Sequence, residues 1–484
     1  MPGPTDPRDE RIAELERQIA ALRRLVEEQA KQIGEQARRI AELEERLRRN
    51  KRQATPFARE EVVEMRRKPG RSRGHAGTWQ AVPARADEEI FAPLCRCPDC
   101  GREVSGVEDL EQFVVDLPEV RPRVQRVVTQ RGWCPRCRRR VRSSHPAQVS
   151  RAGGSARVSL GGRALGLAAE LKHRLGVPYR DIAELFATYF GLAVSHSALV
   201  HGSVRLARRG KPTYQALVQL VRQSAVVQTD DTGWRIDTRS AWLWVFATSQ
   251  ATVYVIDRRR GHEVVTRLLG KDFAGTLVSD GLPALDALDA LDFVRAQCLG
   301  HLLRRARELA QTQTRGAVRF PRALKELLQQ AIGLAHRHTE LSAATMREYA
   351  RRIERRTDRL LRGRITHPEN RRLADHLRKH RLQLFGSLYD PEIPSTNNLS
   401  EQQLRGAVVT RKIGGCNRSD QHADAHAILT SIAQTAYRNG RTLAHFVRCC
   451  IRPRDGLLVA LDAIMPALHQ SPARRGICPP CVNR

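Results

Sequence analysis

The chain has 484 residues, with 83 Lys and Arg against 52 Asp and Glu, a formal net charge of +31. That length exceeds one hydrophobic core and predicts two to four domains, while the charge predicts a polyanion partner whose phosphates release counterions on binding. No apolar run approaches the ~20 residues that span a bilayer, MPGPTDPRDE lacks the apolar segment of a secretory signal, and the eleven cysteines cluster in CxxC pairs, which suits metal binding in a reducing cytosol and not a disulfide framework.

Residues 8–53 carry a heptad pattern. Ile12, Ile19, Val26, Ile33, Ile40 and Leu47 fall at position a, and Leu15, Leu22, Gln29, Gln36 and Leu43 at position d. β-Branched residues at a with Leu at d favour a parallel two-stranded coiled coil. Arg11 with Glu16 and Arg39 with Glu44 have the spacing of interchain ion pairs, so residues 11–49 predict a homo-oligomer. Pro56 ends the helix, and a basic linker occupies residues 54–90, with RRKPGRSRGHAG at 66–77.

Residues 91–146 read as a zinc-ribbon-like DNA-binding module, and a structural zinc role alone fits them equally well. Cys97, Cys100, Cys134 and Cys137 form two CPxC knuckles separated by 33 residues. Tight CxxC turns aim two thiolates at one ion, and two such turns complete a tetrahedral Zn2+ site. The intervening QFVVDLPEVRPRVQRVVTQRGW alternates apolar and polar residues and predicts ribbon strands. Residues 155–222 predict helices. Pro178 stands near one start, Gly191 breaks that helix, and Ser195 caps the next. This order fits a helix-turn-helix and fits two ordinary packed helices equally well.

From 223 the texture changes to strands. Ala225–Asp230, Ala241–Thr248 and Thr252–Asp257 read as three consecutive strands, with Gly233 and the stretch 237–240 turning the first into the second. A helix from His262 to Leu269 and a strand from Gly275 to Asp280 follow. That order is ribonuclease H-like, and it sets the first and fourth strands side by side. Asp230 and Asp280 then end on one face, while Asp231 points to the other. Residues 223–301 are the first part of this core. Residues 284–312 and 322–386 are Arg-rich and helical in texture, so 302–390 read as a helical insertion. Residues 391–440 return the second part, with Glu401 at a helix start and Ser395 or Thr396 as its cap, and 441–484 form a C-terminal helical tail.

Three carboxylates on such a framework suit two Mg2+ or Mn2+ ions about 4 Å apart beside a phosphodiester, since hard cations select carboxylate oxygens. Arg405 stands one helical turn from Glu401, and Arg411 and Lys412 follow; these three, with Arg304 and Arg305, are the candidate DNA contacts. Cys298 and His301 form a CxxH with no clear second pair and read as helix packing. Cys449-Cys450 and Cys478/Cys481 carry no assignment.

DDTGWRID, WLWVFAT, TVYVIDRRRGHEVV, FAGTLVSDG, CLGHLLRR and STNNLSEQQLRGAVVTRKIGGCNRS resemble the transposases of the insertion sequence 66 family, which carry an Asp-Asp-Glu triad. The zipper, basic linker and CPxC ribbon come in the same order there. The resemblance implies that Asp230 matches the Asp of the family's Asp-Glu-Thr-Gly motif, Asp280 the aspartate of Ser-Asp-Gly, and Glu401 the Glu of Asn-Asn-x-x-Glu. The chain departs at Gln402-Gln403, where the family shows Arg-Ala, and at Arg71-Ser72-Arg73 in the linker. The resemblance further implies cleavage at transposon ends and strand transfer into target DNA, companion proteins of the same element, and a bacterial cytoplasmic, nucleoid-associated protein with no membrane attachment. The competing expectations are a catalytically silent zinc-containing DNA-binding regulator and a sequence-independent nuclease.

Overall fold

The computed structural model describes residues 7–53, 81–145, 148, 158–291, 293–451, 461 and 463–465. The expected linker motif at 66–77 and the Cys478/Cys481 pair lie outside these residues. The chain divides into two units, Met1–Leu117 and Pro118–Arg484.

In the first unit a single helix, α1 (Pro7–Gln53), runs for 47 residues, about 70 Å at 1.5 Å per residue. Among its described side chains, Leu15, Ile19, Leu22, Val26, Ile33 and Ile40 of the heptad face are exposed. Residues 81–117 form no named helix or strand. Around the first knuckle, the Cys97 amide bonds the Arg102 carbonyl at 2.8 Å and the Gly101 amide bonds the Cys97 carbonyl at 2.9 Å. An isolated bridge pairs Arg96 with Glu103.

The second unit opens with a small hairpin, β1 (Arg131–Cys134) and β2 (Arg139–Arg142). Of the ribbon strands expected across 112–133, only the last three residues form one, as part of β1. Pro118 and Pro122 remove backbone donors from any ladder there, and Val114, Leu117 and Val124 stay exposed, with no second layer to bury them. Three helices follow: α2 (Gly162–His173), α3 (Tyr179–Phe190) and α4 (His196–Arg222). Gly191 ends α3 at φ +60°, a left-handed conformation that glycine adopts without strain. Ser195 caps α4 by accepting the Ala198 amide at 3.2 Å. Ile182 and Phe186 of α3 pack on Ala168 of α2 and Leu199 of α4.

The central sheet has five strands: β3 (Val226–Ile236), β4 (Arg239–Ala247), β5 (Thr252–Asp257), β6 (Thr276–Ser279) and β7 (Val294–Gln297), with α5 (His262–Leu269) between β5 and β6. Their spatial order is β5-β4-β3-β6-β7. The β3–β4 and β4–β5 pairs are antiparallel, the β3–β6 and β6–β7 pairs parallel. Two expectations are corrected here. Gly233 does not turn the chain: it pairs with Trp242 inside β3. The reversal falls at Asp237, whose φ of +60° suits a tight hairpin. The segment 284–312 is not wholly helical either. It supplies β7, whose four residues are too few for a period to show.

Side chains alternate across the sheet. One face carries Val227, Trp244, Phe246, Val253 and Leu277 onto Leu217 and Val221 of α4 and Val264 and Val265 of α5. The other carries Trp234, Leu243, Val245 and Tyr254 onto α10 (Asn398–Gly414) and the start of α11 (Asp420–Arg438). The last described helix, α12 (Leu443–Ile451), packs beside α2 through Leu443, Phe446 and Val447 in the first face's core.

Between β7 and α10 come α6 (Leu299–Thr312), α7 (Arg319–Ala335), α8 (Ala343–Arg362) and α9 (Pro368–Lys379). They share a core of their own built on Leu302, Phe320, Leu328, Ile353 and Leu373. Two polar contacts tie α9 back to the core: His376 Nε2 meets Gln297 Oε1 of β7 at 2.9 Å, and Lys379 Nζ donates to Asp286, in the 3-10 turn between β6 and β7, at 2.6 Å.

Candidate active site

Asp230 lies within β3 opposite Val245 of β4, so it shares the face that α10 covers. Asp231 takes the opposite face, as expected, where the Arg260 guanidinium donates to it at 2.8 Å. Val278 of β6 is level with Gln228 of β3. Two more residues along both parallel strands bring Asp280 level with Asp230. The chain then turns at Gly281, φ +78°. A Cβ there would stand 2.8 Å from Gln297 Oε1 and 3.3 Å from His376 Nε2, so only glycine fits both the conformation and the space. Asp280 Oδ1 accepts the Leu282 amide at 3.1 Å, which fixes its carboxyl against this turn.

The start of α10 is sewn to the sheet. Cys298 donates its amide to Ser279 O at 2.8 Å, and Leu299 donates to Ser395 O at 2.9 Å. The Asn397 amide donates to Cys298 Sγ at 3.1 Å. Fully buried, Asn397 sends its side-chain Nδ2 to Thr229 O at 2.7 Å, and the Leu399 amide bonds Gln228 Oε1 at 3.1 Å. The expected cap, Ser395 or Thr396, is therefore corrected: Asn397 occupies the N-cap, and its side chain serves the sheet, not the helix. This lacing sets the first turn of α10, which carries Glu401, against β3 just before Asp230.

Electrostatics register that approach. Burial pushes the Asp230 carboxyl well above its ordinary value, and the charges of Asp280, Asp231 and, more weakly, Glu401 push it the same way. Burial also raises Asp280 against opposing help from the Leu282 amide and Arg260. Asp231 is raised by burial in spite of Arg260. A buried carboxyl under the charge of other carboxylates favours a proton or a cation. An all-oxygen donor set suits a hard divalent ion such as Mg2+ or Mn2+.

Glu401 has a second neighbourhood. His301 Nε2 stands 3.6 Å from Glu401 Oε1. The ligand atoms of Cys298, His301 and Glu401 all lie within 4.8 Å of one another. The reading of this CxxH as helix packing missed its third member, 100 residues on, because no local spacing marks it.

Of the candidate DNA contacts, Arg304, Arg305, Arg405 and Lys412 are exposed. Arg411 is turned inward, donating to Thr232 Oγ1 at 3.2 Å and to Gly233 O, so it braces α10 on β3. In the hairpin, the Cys137 amide donates to Cys134 Sγ at 3.4 Å. Together with the thiol of Cys137 it holds the Cys134 pKa below the ordinary thiol value. In the other unit the amides of Asp99 and Cys100 lower Cys97 in the same way.

No helix among the described residues is long and apolar enough to cross a membrane. A family model described as "Transposase IS66 family" matches residues 157–425, more than half of the chain. No curated protein matches.

Proposed function

The chain belongs to the IS66 family of transposases, and from that premise we propose that it cuts DNA at transposon ends and joins them to target DNA with Asp230, Asp280 and Glu401 as its catalytic carboxylates. The observation that carries this reading is the pairing of β3 with β6 and the bonding of Asn397 and Leu399 to Thr229 and Gln228, which gather the three chain segments bearing these carboxylates at one part of the sheet. The sheet order, three antiparallel strands followed by two parallel ones, supports a ribonuclease H-like core.

Two divalent cations, when bound, would activate a water or 3′-hydroxyl nucleophile and neutralise charge at the leaving oxygen. The residues themselves do the holding. Asp230 presents a carboxyl from the middle of a paired strand, where the backbone cannot shift. Asp280 is fixed by the turn at Gly281. Glu401 is delivered by the Asn397 anchor. Arg260 occupies Asp231, which keeps that neighbour out of the donor set. Exposed Arg304, Arg305, Arg405 and Lys412 supply phosphate contacts to transposon-end and target DNA. Self-association through residues 11–49 would pair two ends, and the exposed heptad face of α1 supports it. The structural-zinc part of the reading is supported in each unit separately, by the sulfur-directed amides at Cys97–Cys100 and at Cys134–Cys137. A silent DNA-binding regulator would have no use for a buried Asp230 set under the charge of other carboxylates.

The test is Mg2+-dependent cleavage of DNA bearing the element's terminal inverted repeats. Wild type should cut, while Asp230→Asn, Asp280→Asn and Glu401→Gln should not. Normal cutting by any one of the three variants removes that residue from the assignment. Equal cutting of random DNA points to a general nuclease.

A further inference from the structure

Cys298 is the N-cap residue of α6, and His301 follows one turn later. Both side chains meet Glu401 of α10 with all three ligand atoms within 4.8 Å of one another. A tetrahedral Zn2+ with ordinary Zn–S and Zn–N bonds needs ligand atoms roughly 3.3–3.8 Å apart, so closing this group takes a small side-chain adjustment and no backbone movement.

Three details favour a cation over simple packing. The Cys298 sulfur receives the Asn397 amide at 3.1 Å. His301 Nδ1 is buried without a hydrogen-bond partner, and Nε2 stops 3.6 Å from Glu401, beyond a good hydrogen bond. The imidazole thus sits between a sulfur and a carboxylate with neither ring nitrogen well satisfied. Finally, a sulfur, nitrogen and oxygen donor set selects borderline ions such as Zn2+ or Co2+ over Mg2+.

We propose that Cys298, His301 and Glu401 form a binding site for a borderline divalent cation of the zinc class, and that its occupancy withdraws Glu401 from Asp230 and Asp280. The side chains of His301 and Glu401 are 20% and 16% exposed, so an ion reaches the site from solvent while the buried sulfur anchors it. An ion held by Cys298 and His301 draws the Glu401 carboxyl toward them, so the two kinds of metal compete for it. The inhibitory half of the inference rests on the catalytic role proposed for Glu401. The binding half does not.

The probe is Co2+ added to the full-length chain. Wild type should show more thiolate-to-cobalt charge-transfer absorption than Cys298→Ser, by one thiolate per chain. His301→Ala, which leaves the sulfur in place, should bind this ion at least about tenfold more weakly and serves if the serine variant does not fold. Matching spectra in wild type and both variants would overturn the site. In the cleavage assay, Zn2+ added over Mg2+ should inhibit wild type, and His301→Ala, relative to its own uninhibited rate, should need about tenfold more. Cobalt binding at Cys298 with no such difference in zinc sensitivity overturns the withdrawal of Glu401. Full cleavage by Glu401→Gln would instead sink the catalytic assignment, and the cobalt spectra would still decide the site.

Discussion

The side-chain amide of Asn397 donates to the carbonyl of Thr229 across 2.7 Å, joining the residue before Asp230 to the N-cap of the helix that carries Glu401. The bond is buried, so water cannot replace either partner. Asn397→Ala leaves the Thr229 carbonyl unpaired and should lower stability by about 1–3 kcal/mol. Asn397→Asp should do more harm, since it sets a carboxylate against that carbonyl. Both variants should lose end cleavage by more than their stability loss explains at a temperature where each remains folded. Denaturant unfolding and cleavage rates measured together check this. An Asn397→Ala protein that cuts at the wild-type rate would show that α10 finds its place without the anchor.

Asp230 predicts a pH dependence whose sign follows from its environment. An unfolded aspartate titrates near 3.9, whereas in the folded, metal-free chain burial and neighbouring carboxylates raise it well above that. Between the two values the folded state keeps a proton that the unfolded state releases, so stability falls as pH rises through this window. Above the folded value the penalty is complete. Asp230→Asn removes it. The variant should melt above wild type near neutral pH without metal, and the gap should close as pH falls toward about 3.9. Mg2+ should raise the melting temperature of wild type and leave Asp230→Asn nearly unmoved. Thermal melts across pH, with and without Mg2+, provide the check.

Part of the candidate site could be read from the chain because apolar runs precede Asp230 and Asp280 and Glu401 stands near a helix start, although β3 continues six residues past Asp230 to Ile236. The apolar runs before Asp230 and before Asp280 set the two strands, and their parallel pairing follows from the connecting helix α5. What could not be read depends on contacts between distant segments. β7 is four residues long and becomes a strand because β6 offers it an open edge. Ser395 and Thr396 look like helix caps by composition, yet Asn397 takes the N-cap and its side chain bonds a carbonyl of β3. The Cys298–His301 pair lacked a partner in sequence because its third member arrives with α10. Of the ribbon strands expected across 112–133, all before Arg131 failed for the opposite reason: alternation alone cannot hold a strand that lacks a neighbour and contains two prolines.

Two basic residues on α10, adjacent in sequence, should behave differently. Arg411 is bound to Thr232 and Gly233 of β3, whereas Lys412 is exposed. Arg411→Ala should therefore lower the melting temperature and leave the salt dependence of DNA binding unchanged. Lys412→Ala should leave stability within about 0.5 kcal/mol while reducing the slope of log affinity against log salt by about one. Binding isotherms at several salt concentrations, paired with unfolding curves, separate the two. A reduced salt slope for Arg411→Ala would mean that its guanidinium leaves β3 for a phosphate when DNA is present.

The last prediction concerns α1. A 47-residue helix with an apolar stripe in water has little to hold it, and Ile19, Val26 and Ile33 are each at least half exposed. Burying such side chains against a second copy contributes roughly 1.5–3 kcal/mol apiece. The β-branched a positions favour two parallel strands. Gln29 and Gln36 at neighbouring d positions weaken the middle, so the dimer should be specific in register but of moderate affinity. Replacing Ile19, Val26 and Ile33 together by Glu sets like charges at facing a positions along the seam. Sedimentation equilibrium should then show wild type as a dimer and the triple variant as a monomer. Far-ultraviolet circular dichroism should fall by about the share of the helical signal that α1 contributes, since a solitary helix of this kind frays. End cleavage on short single-end DNA should survive, because no residue of α1 belongs to the carboxylate group. Assays that require two ends together should fail. A wild-type chain that stays monomeric at micromolar concentration, with α1 helical, would leave the exposed stripe for a different partner.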